Sequence, residues 1–168
     1  MGKRILSALI LAPLVLAEVV LGKPYWDILV IVLGVLMAWE WAKLCGGGQL
    51  SAVGSGLIAG VFATLLIAAL WNFNAALVAL GIATIVIAAW AGGVSGGRAA
   101  WYGLGVAYIG LPCLALTWIR DLPDVGLVTL LWIIGIVWAT DTAAYFAGRA
   151  IGGPKLAPRI SPNKTWAG

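Results

Sequence analysis

Few side chains in these 168 residues could do polar chemistry: six Asp or Glu, ten Lys or Arg, and no His. Asp141 stands out among them. It follows the uninterrupted apolar run Gly126–Ala139 and lies inside the last apolar stretch of the chain. An ionisable side chain inside a membrane span is costly and is by default a functional candidate. At helical periodicity Asp141, Tyr145, Gly148 and Arg149 share one face. Asp141 and Arg149 lie about 12 Å apart along a helix axis, a spacing that could hold a metal ion and a phosphate between an anion and a cation. The competing reading is an Asp that snorkels to water or pairs with a neighbouring helix.

The segment 152–168, GGPKLAPRISPNKTWAG, is the second unusual piece. Pro154, Pro158 and Pro162 recur at four-residue spacing, which opposes a continuous helix. Lys155, Arg159 and Lys164 supply positive charge, while Ser161 and Thr165 supply hydroxyls. Such a segment at a membrane surface suits phosphate oxygens of a lipid head group or a nucleotide. A basic loop that sets topology and touches anionic lipid without specificity would look the same by composition.

Other candidates are weaker. Glu40 sits between Trp39 and Trp41, three residues before Lys43, and an interfacial Trp pair with an ion pair at that spacing accounts for the cluster. Asp27, Asp121 and Asp124 read as solvated residues of short outer loops. The run Gly92–Arg98 lacks the Lys-Ser/Thr ending of a phosphate-binding loop and reads as a flexible turn. Cys45 and Cys113 sit in apolar runs without metal-ligand spacing and read as packing residues.

The elements that must position these groups follow from composition. The chain is 63% hydrophobic and 10% charged, with a mean hydropathy of +1.08. A soluble domain carries about 25% charged residues, so a soluble monomer is excluded, as are intrinsic disorder and a disulfide framework. Six runs approach the length of about 20 apolar residues that a spanning helix needs: 5–21, 28–44, 52–70, 75–91, 104–119 and 126–146. None shows the strand-like alternation of a membrane β-barrel. The expected fold is an all-α integral membrane bundle of about six transmembrane helices: one membrane domain over 1–168, with 147–168 a basic cytoplasmic tail. Pro13 and Pro112 fall inside spans and are expected to kink them.

Six spans put both ends on one side. That side collects Lys3, Arg4, Lys43, Arg98, Arg149, Lys155, Arg159 and Lys164, against Lys23 and Arg120 on the other. The positive-inside bias predicts cytoplasmic termini in a multi-pass protein of the inner or plasma membrane. The first span reads as uncleaved, since more spans follow it.

Three pieces together carry a resemblance: Asp141 to Arg149 (DTAAYFAGR), Lys155 to Pro158 (KLAP) and Ser161 to Trp166 (SPNKTW). In order and spacing they resemble the bacterial phosphatidate cytidylyltransferase, or CDP-diacylglycerol synthase, family. The resemblance implies Mg²⁺-dependent transfer of a cytidylyl group from CTP to phosphatidate, giving CDP-diacylglycerol and pyrophosphate in phospholipid biosynthesis. It implies that Asp141 holds the metal, and that Asp141 and Lys164 are catalytic. Ser161, Pro162, Thr165, Tyr145, Arg149 and Lys155 would shape the substrate site. The implied partners are phosphatidate, CTP and membrane lipid, and the resemblance allows a homodimer; no nucleic acid is expected.

Two departures follow. The family's piece continues Lys-Thr-x-Glu-Gly, whereas here Ala167 precedes Gly168, which removes one carboxylate. Family members also run on through further spans carrying more carboxylates, so the expectation is the front portion of the enzyme. The alternative is a non-catalytic membrane protein that binds anionic lipid or nucleotide phosphates. A small transporter has less support, with no internal repeat and no paired mid-membrane charges. A CDP-alcohol phosphotransferase would need clustered aspartates at helical spacing, and the spans contain none.

Overall fold

A computed structural model describes the backbone of residues 2–168 and the side chains of residues 9–94 and 97–168. The side chains of Lys3, Arg4 and the start of the expected 5–21 span lie outside the described ones. The helices are α1 (Gly2–Leu21), α2 (Tyr25–Cys45), α3 (Ala52–Leu70), α4 (Phe73–Ser95), α5 (Ala99–Arg120) and α6 (Gly126–Ala150). A two-stranded antiparallel hairpin follows, β1 (Lys155–Ala157) with β2 (Ser161–Thr165). Helices α2 to α6 are each long and apolar enough to cross a membrane. The chain is a multi-pass helical membrane protein. Two compact units divide it, Met1–Leu127 and Val128–Gly168.

In the first unit α5 packs against α2, α3 and α4. Its contact face carries Tyr102, Val106, Ile109, Cys113 and Leu114, all buried. The helices approach closely where side chains are absent. A Cβ on Gly103 would lie 2.7 Å from the Ala88 Cβ and 3.2 Å from the Thr84 carbonyl oxygen. Small residues at helix contacts are the usual means of association in lipid, where apolar burial alone gives little drive. The opposite faces keep Leu33, Leu36, Ile82, Ile85 and Val86 exposed, as a lipid-facing surface requires.

Several polar side chains in this unit serve helix ends. Ser51 Oγ accepts the Gly54 N–H at 3.1 Å at the start of α3, and Asn72 Oδ1 accepts the Ala75 N–H at 2.8 Å before α4. Those acceptors satisfy first-turn amides that have no helical partner. Arg120 donates through Nε to Val19 O at 2.7 Å and through Nη2 to Val20 O at 3.2 Å, which satisfies the last carbonyls of α1.

Several helices outrun their apolar stretches. α4 and α5 extend beyond 75–91 and 104–119, and the run 92–98 is the end of α4 followed by a single 3₁₀ turn, Gly96–Arg98, rather than an open turn. Hydrogen bonding continues a helix past the edge of its apolar window. Pro13 and Pro112 sit within continuous helices.

Two local expectations are corrected. Asp27 is not a solvated loop residue: it lies in the first turn of α2, is 5% exposed, and its Oδ1 has no hydrogen-bond partner. Its carboxylate sits at the helix N-terminus, the end that favours negative charge. Lys43 does not reach Glu40; its Nζ lies 3.6 Å from the centroid of the Trp39 ring. Among the described residues the ion pair found is Lys23 Nζ with Asp121 Oδ2, at 2.7 Å.

Candidate active site on helix α6 and the C-terminal hairpin

The second unit holds the residues singled out by type and spacing. Helix α6 runs unbroken to Ala150, past the expected end at 146, so the face shared by Asp141, Tyr145, Gly148 and Arg149 is real. Arg149 Nη1 donates to Tyr145 Oη at 3.1 Å across one helical turn. The Tyr145 ring meets Phe146 edge-on, with centroids 5.6 Å apart. Asp141 is exposed on this face, one turn before Tyr145.

The chain leaves α6 abruptly. Ile151 N–H closes the last helical bond to Ala147 O at 3.0 Å, and Gly152 and Gly153 follow with φ of 65° and 94°. Left-handed glycine is the common way to stop a helix, because it has no Cβ to clash. Pro154 and the hairpin come next. Ile160 N–H bonds to Ala157 O at 3.0 Å, closing a tight turn with Pro158 in its second position, where a fixed φ is favourable.

The hairpin pairs Lys155 with Thr165 and Ala157 with Ser161. β2 therefore carries surplus residues between those two pairs, and Pro162 falls within that irregular stretch. A residue without an N–H fits a bulge, where the ladder is already interrupted. Beyond the paired residues, Trp166 N–H donates to Pro154 O at 3.1 Å.

The end of β2 seats on α6. Thr165 is buried, and a Cβ on Gly148 would lie 3.1 Å from Thr165 Oγ1 and 3.4 Å from Gly168 Cα. Thr165 Oγ1 also accepts the Gly168 N–H at 3.3 Å. A Cβ on Gly168 would stand 2.8 Å from the Ala144 carbonyl oxygen and 3.2 Å from Gly148 Cα. Residues 165–168 thus run along Gly148 and then Ala144, on the face that carries Asp141. Ala144 lies about 4.5 Å along the axis from Asp141.

This fold brings the separate polar pieces into one unit. Asp141 and Arg149 come from the helix. Lys155, Pro162 and Lys164, all exposed, and the half-buried Ser161 come from the hairpin. Arg159, also exposed, sits in the turn. Among the described residues no group of three His, Cys, Asp or Glu is placed to hold a metal ion. Asp141 is a single hard oxygen donor. Mg²⁺ is commonly held by one or two carboxylates with substrate phosphates and water completing its shell, and the exposed Asp141 could supply one such carboxylate.

Spacing alone predicted the helical face but missed the hairpin and the seat of Thr165 on Gly148. Glycine at position 148, beside a segment rich in hydroxyls and cations, was the available signal of a close approach.

The sequence matches the family described as the cytidylyltransferase family over residues 2–168. The chain belongs to that family. Among curated cytidylyltransferase relatives, it is similar to a phosphatidate cytidylyltransferase of Brucella suis, 34% identical over 170 residues, covering 98% of this chain and 60% of the relative. It is similar to another of Pseudomonas aeruginosa, 32% identical over 178 residues, covering 99% of this chain and 64% of the relative. A phosphatidate cytidylyltransferase of Haemophilus influenzae is 54% identical over 46 residues, 27% of this chain and 16% of the relative. The chain therefore spans 60% of the length of the Brucella relative. No solved structure matches it.

Proposed function

We propose that this cytidylyltransferase-family chain acts as a phosphatidate cytidylyltransferase. In that reaction a phosphate oxygen of phosphatidate forms a bond to the α-phosphorus of CTP. The α–β phosphoanhydride bond breaks, and pyrophosphate leaves with the electron pair. One observation supports the reading: residues 165–168 are packed along Gly148 and Ala144, which seats the strand carrying Ser161 and Lys164 on the same helix as Asp141.

The residues divide the work by charge. Lys164 and Lys155 offer ammonium groups to phosphate oxygens, and Ser161 offers a hydroxyl donor. Arg149, steadied by Tyr145, supplies a planar guanidinium suited to a phosphate. Pro162 stiffens the strand that presents Ser161 and Lys164. Thr165 acts chiefly through its seat on Gly148, which holds that strand against the helix. Asp141 would hold Mg²⁺ together with substrate phosphates, and the ion when bound would supply charge neutralisation at the transferring phosphoryl group. Fixed cations around a group whose charge rises in the transition state are the main catalytic lever available to such a site. A lipid substrate explains why these groups lie at the end of a membrane span. The positive-inside bias supports a site and both termini on the cytoplasmic side of an inner or plasma membrane, and the same reading admits a homodimer.

The test is CTP-dependent conversion of phosphatidate to CDP-diacylglycerol in membranes holding this chain, with and without Mg²⁺, and with Asp141→Ala as control. Product that requires CTP and Mg²⁺ and disappears with Asp141→Ala is the expected result. A folded, inserted chain that binds CTP and phosphatidate without forming product would replace this reading with the non-catalytic binder.

A further inference from the structure

The first unit has its own cation-bearing cavity, which shares no residue with the proposed catalytic site. It lies where the end of α2 meets the start of α5, measures about 420 Å³, and is lined by Trp41, Leu44, Cys45, Arg98 and Trp101. We infer that this cavity binds the phosphate of an anionic phospholipid, with Arg98 as the pairing group and Leu44 and Trp101 against the glycerol and upper acyl carbons.

The walls are held in place. Trp41 donates from Nε1 to Trp101 O at 2.9 Å, meets the Tyr108 ring at a tilt with centroids 5.4 Å apart, and packs against Gly105, where a Cβ would collide with the indole. Arg98 is anchored by one bond, from Nη1 to Cys45 O at 3.1 Å. Cys45 ends α2, so this cation sits on carbonyls that carry partial negative charge. A guanidinium has five N–H donors in a planar fork, and the anchoring bond uses one of them. Arg98 is also the residue immediately before α5.

The occupant follows from the lining. None of the five residues is acidic, so an ammonium-bearing head group finds no counter-charge there, whereas a phosphate does. Leu44 is 76% exposed and Trp101 55% exposed, which gives a free phosphate an apolar rim and a lipid a suitable one. Trp39, Trp41 and Trp101 with Lys43 form the aromatic and cationic belt that marks a membrane–water boundary, so the cavity lies at head-group depth.

The experiment is native mass spectrometry of the full chain released from nanodiscs of phosphatidylcholine mixed with phosphatidylglycerol. Phosphatidylglycerol is a phosphodiester that the proposed reaction does not consume, so failure here is separable from failure of the enzymatic reading. The chain is expected to retain phosphatidylglycerol in preference to phosphatidylcholine. Arg98→Gln should cut that preference about tenfold, as expected for losing charge-assisted hydrogen bonds, and Arg98→Lys should restore part of it. Leu44→Glu changes an exposed side chain, leaves the Arg98 anchor in place, and should cut the preference by repulsion. Wild-type protein with no preference, or a preference unchanged in both Arg98→Gln and Leu44→Glu, would overturn the inference. Displacement of the lipid by an equal concentration of glycerol 3-phosphate would overturn it too, since the site would then read a soluble phosphate.

Discussion

The two units use the same small residue for different ends. In α2 to α5, glycines such as Gly103 and Gly105 let one helix lie against a neighbour, and polar side chains such as Ser51, Asn72 and Arg120 close helix ends. In the α6–hairpin unit, Gly148 makes room for the returning strand, and the polar side chains Asp141, Lys155, Arg159 and Lys164 stay exposed. Several polar side chains of the first unit bond its own helix ends, whereas those of the second are mostly exposed. That contrast separates scaffold from site within one apolar chain, and substitutions in each unit should fail in different ways.

The largest effect is expected at Asp141. Asp141→Asn keeps the size and loses the charge, so the bundle should insert and fold normally while cytidylyl transfer falls by about a hundredfold or more. Helicity measured alongside turnover checks this. Loss of folding together with activity would break the contrast, because Asp141 would then be part of the scaffold.

Gly103→Val should do the reverse. Its side chain would enter a space closed by Ala88 and the Thr84 carbonyl, and overpacking of this kind costs about 1–3 kcal/mol. Thermal unfolding in detergent should show it. Gly81→Ala, on α4 with nothing within 4 Å of the added Cβ, is the matched control and should be neutral or slightly stabilising through helix propensity. Equal destabilisation by both would mean that close helix approach is not what Gly103 provides.

Thr165→Val probes the seat of the hairpin. The shape is kept while Oγ1, the acceptor for Gly168 N–H, is lost, at a cost of about 1 kcal/mol. The expected outcome is weaker CTP binding with unchanged unfolding of the helical bundle, read by nucleotide titration and thermal scans on the same sample. Thr165→Ser should restore it. A uniform drop in bundle stability would show that the strand is structural in a wider sense than the site.

How much of this was legible in advance depends on which force decides each feature. Helix positions were readable because charge, Pro and Asn collect at breaks such as 22–27 and 120–124, where the apolar runs stop. The Asp141 face was readable because helical periodicity is rigid. The hairpin was not: Pro162 argues against a strand, and only the irregular register around it makes the strand possible. Asp27 was misjudged because its burial depends on how neighbouring helices close over the first turn of α2. Lys43 was misjudged because an aromatic face and a carboxylate compete for the same ammonium, and Trp39 won.

The smallest effect concerns the ion pair between the α1–α2 and α5–α6 loops, where the first unit does present charge to water. Lys23 and Asp121 are 45% and 43% exposed and 2.7 Å apart. The hydrogen bond to Asp121 is the chief cause that raises the Lys23 pKa above its ordinary 10.5, with partial burial opposing it. A raised pKa means the folded state holds its proton more tightly than the unfolded state, so the pair's contribution is complete below pH 10.5 and fades as pH climbs through the higher folded value. Exposure and salt screening limit that contribution to about 0–1 kcal/mol. Asp121→Asn should therefore lower the unfolding temperature slightly at neutral pH, and less as pH rises through the alkaline range or as salt is added. A large loss at neutral pH would place this loop pair with the helix-end contacts of Arg120, as part of what holds the first unit together, and would narrow the difference between the two units to the residues around Asp141.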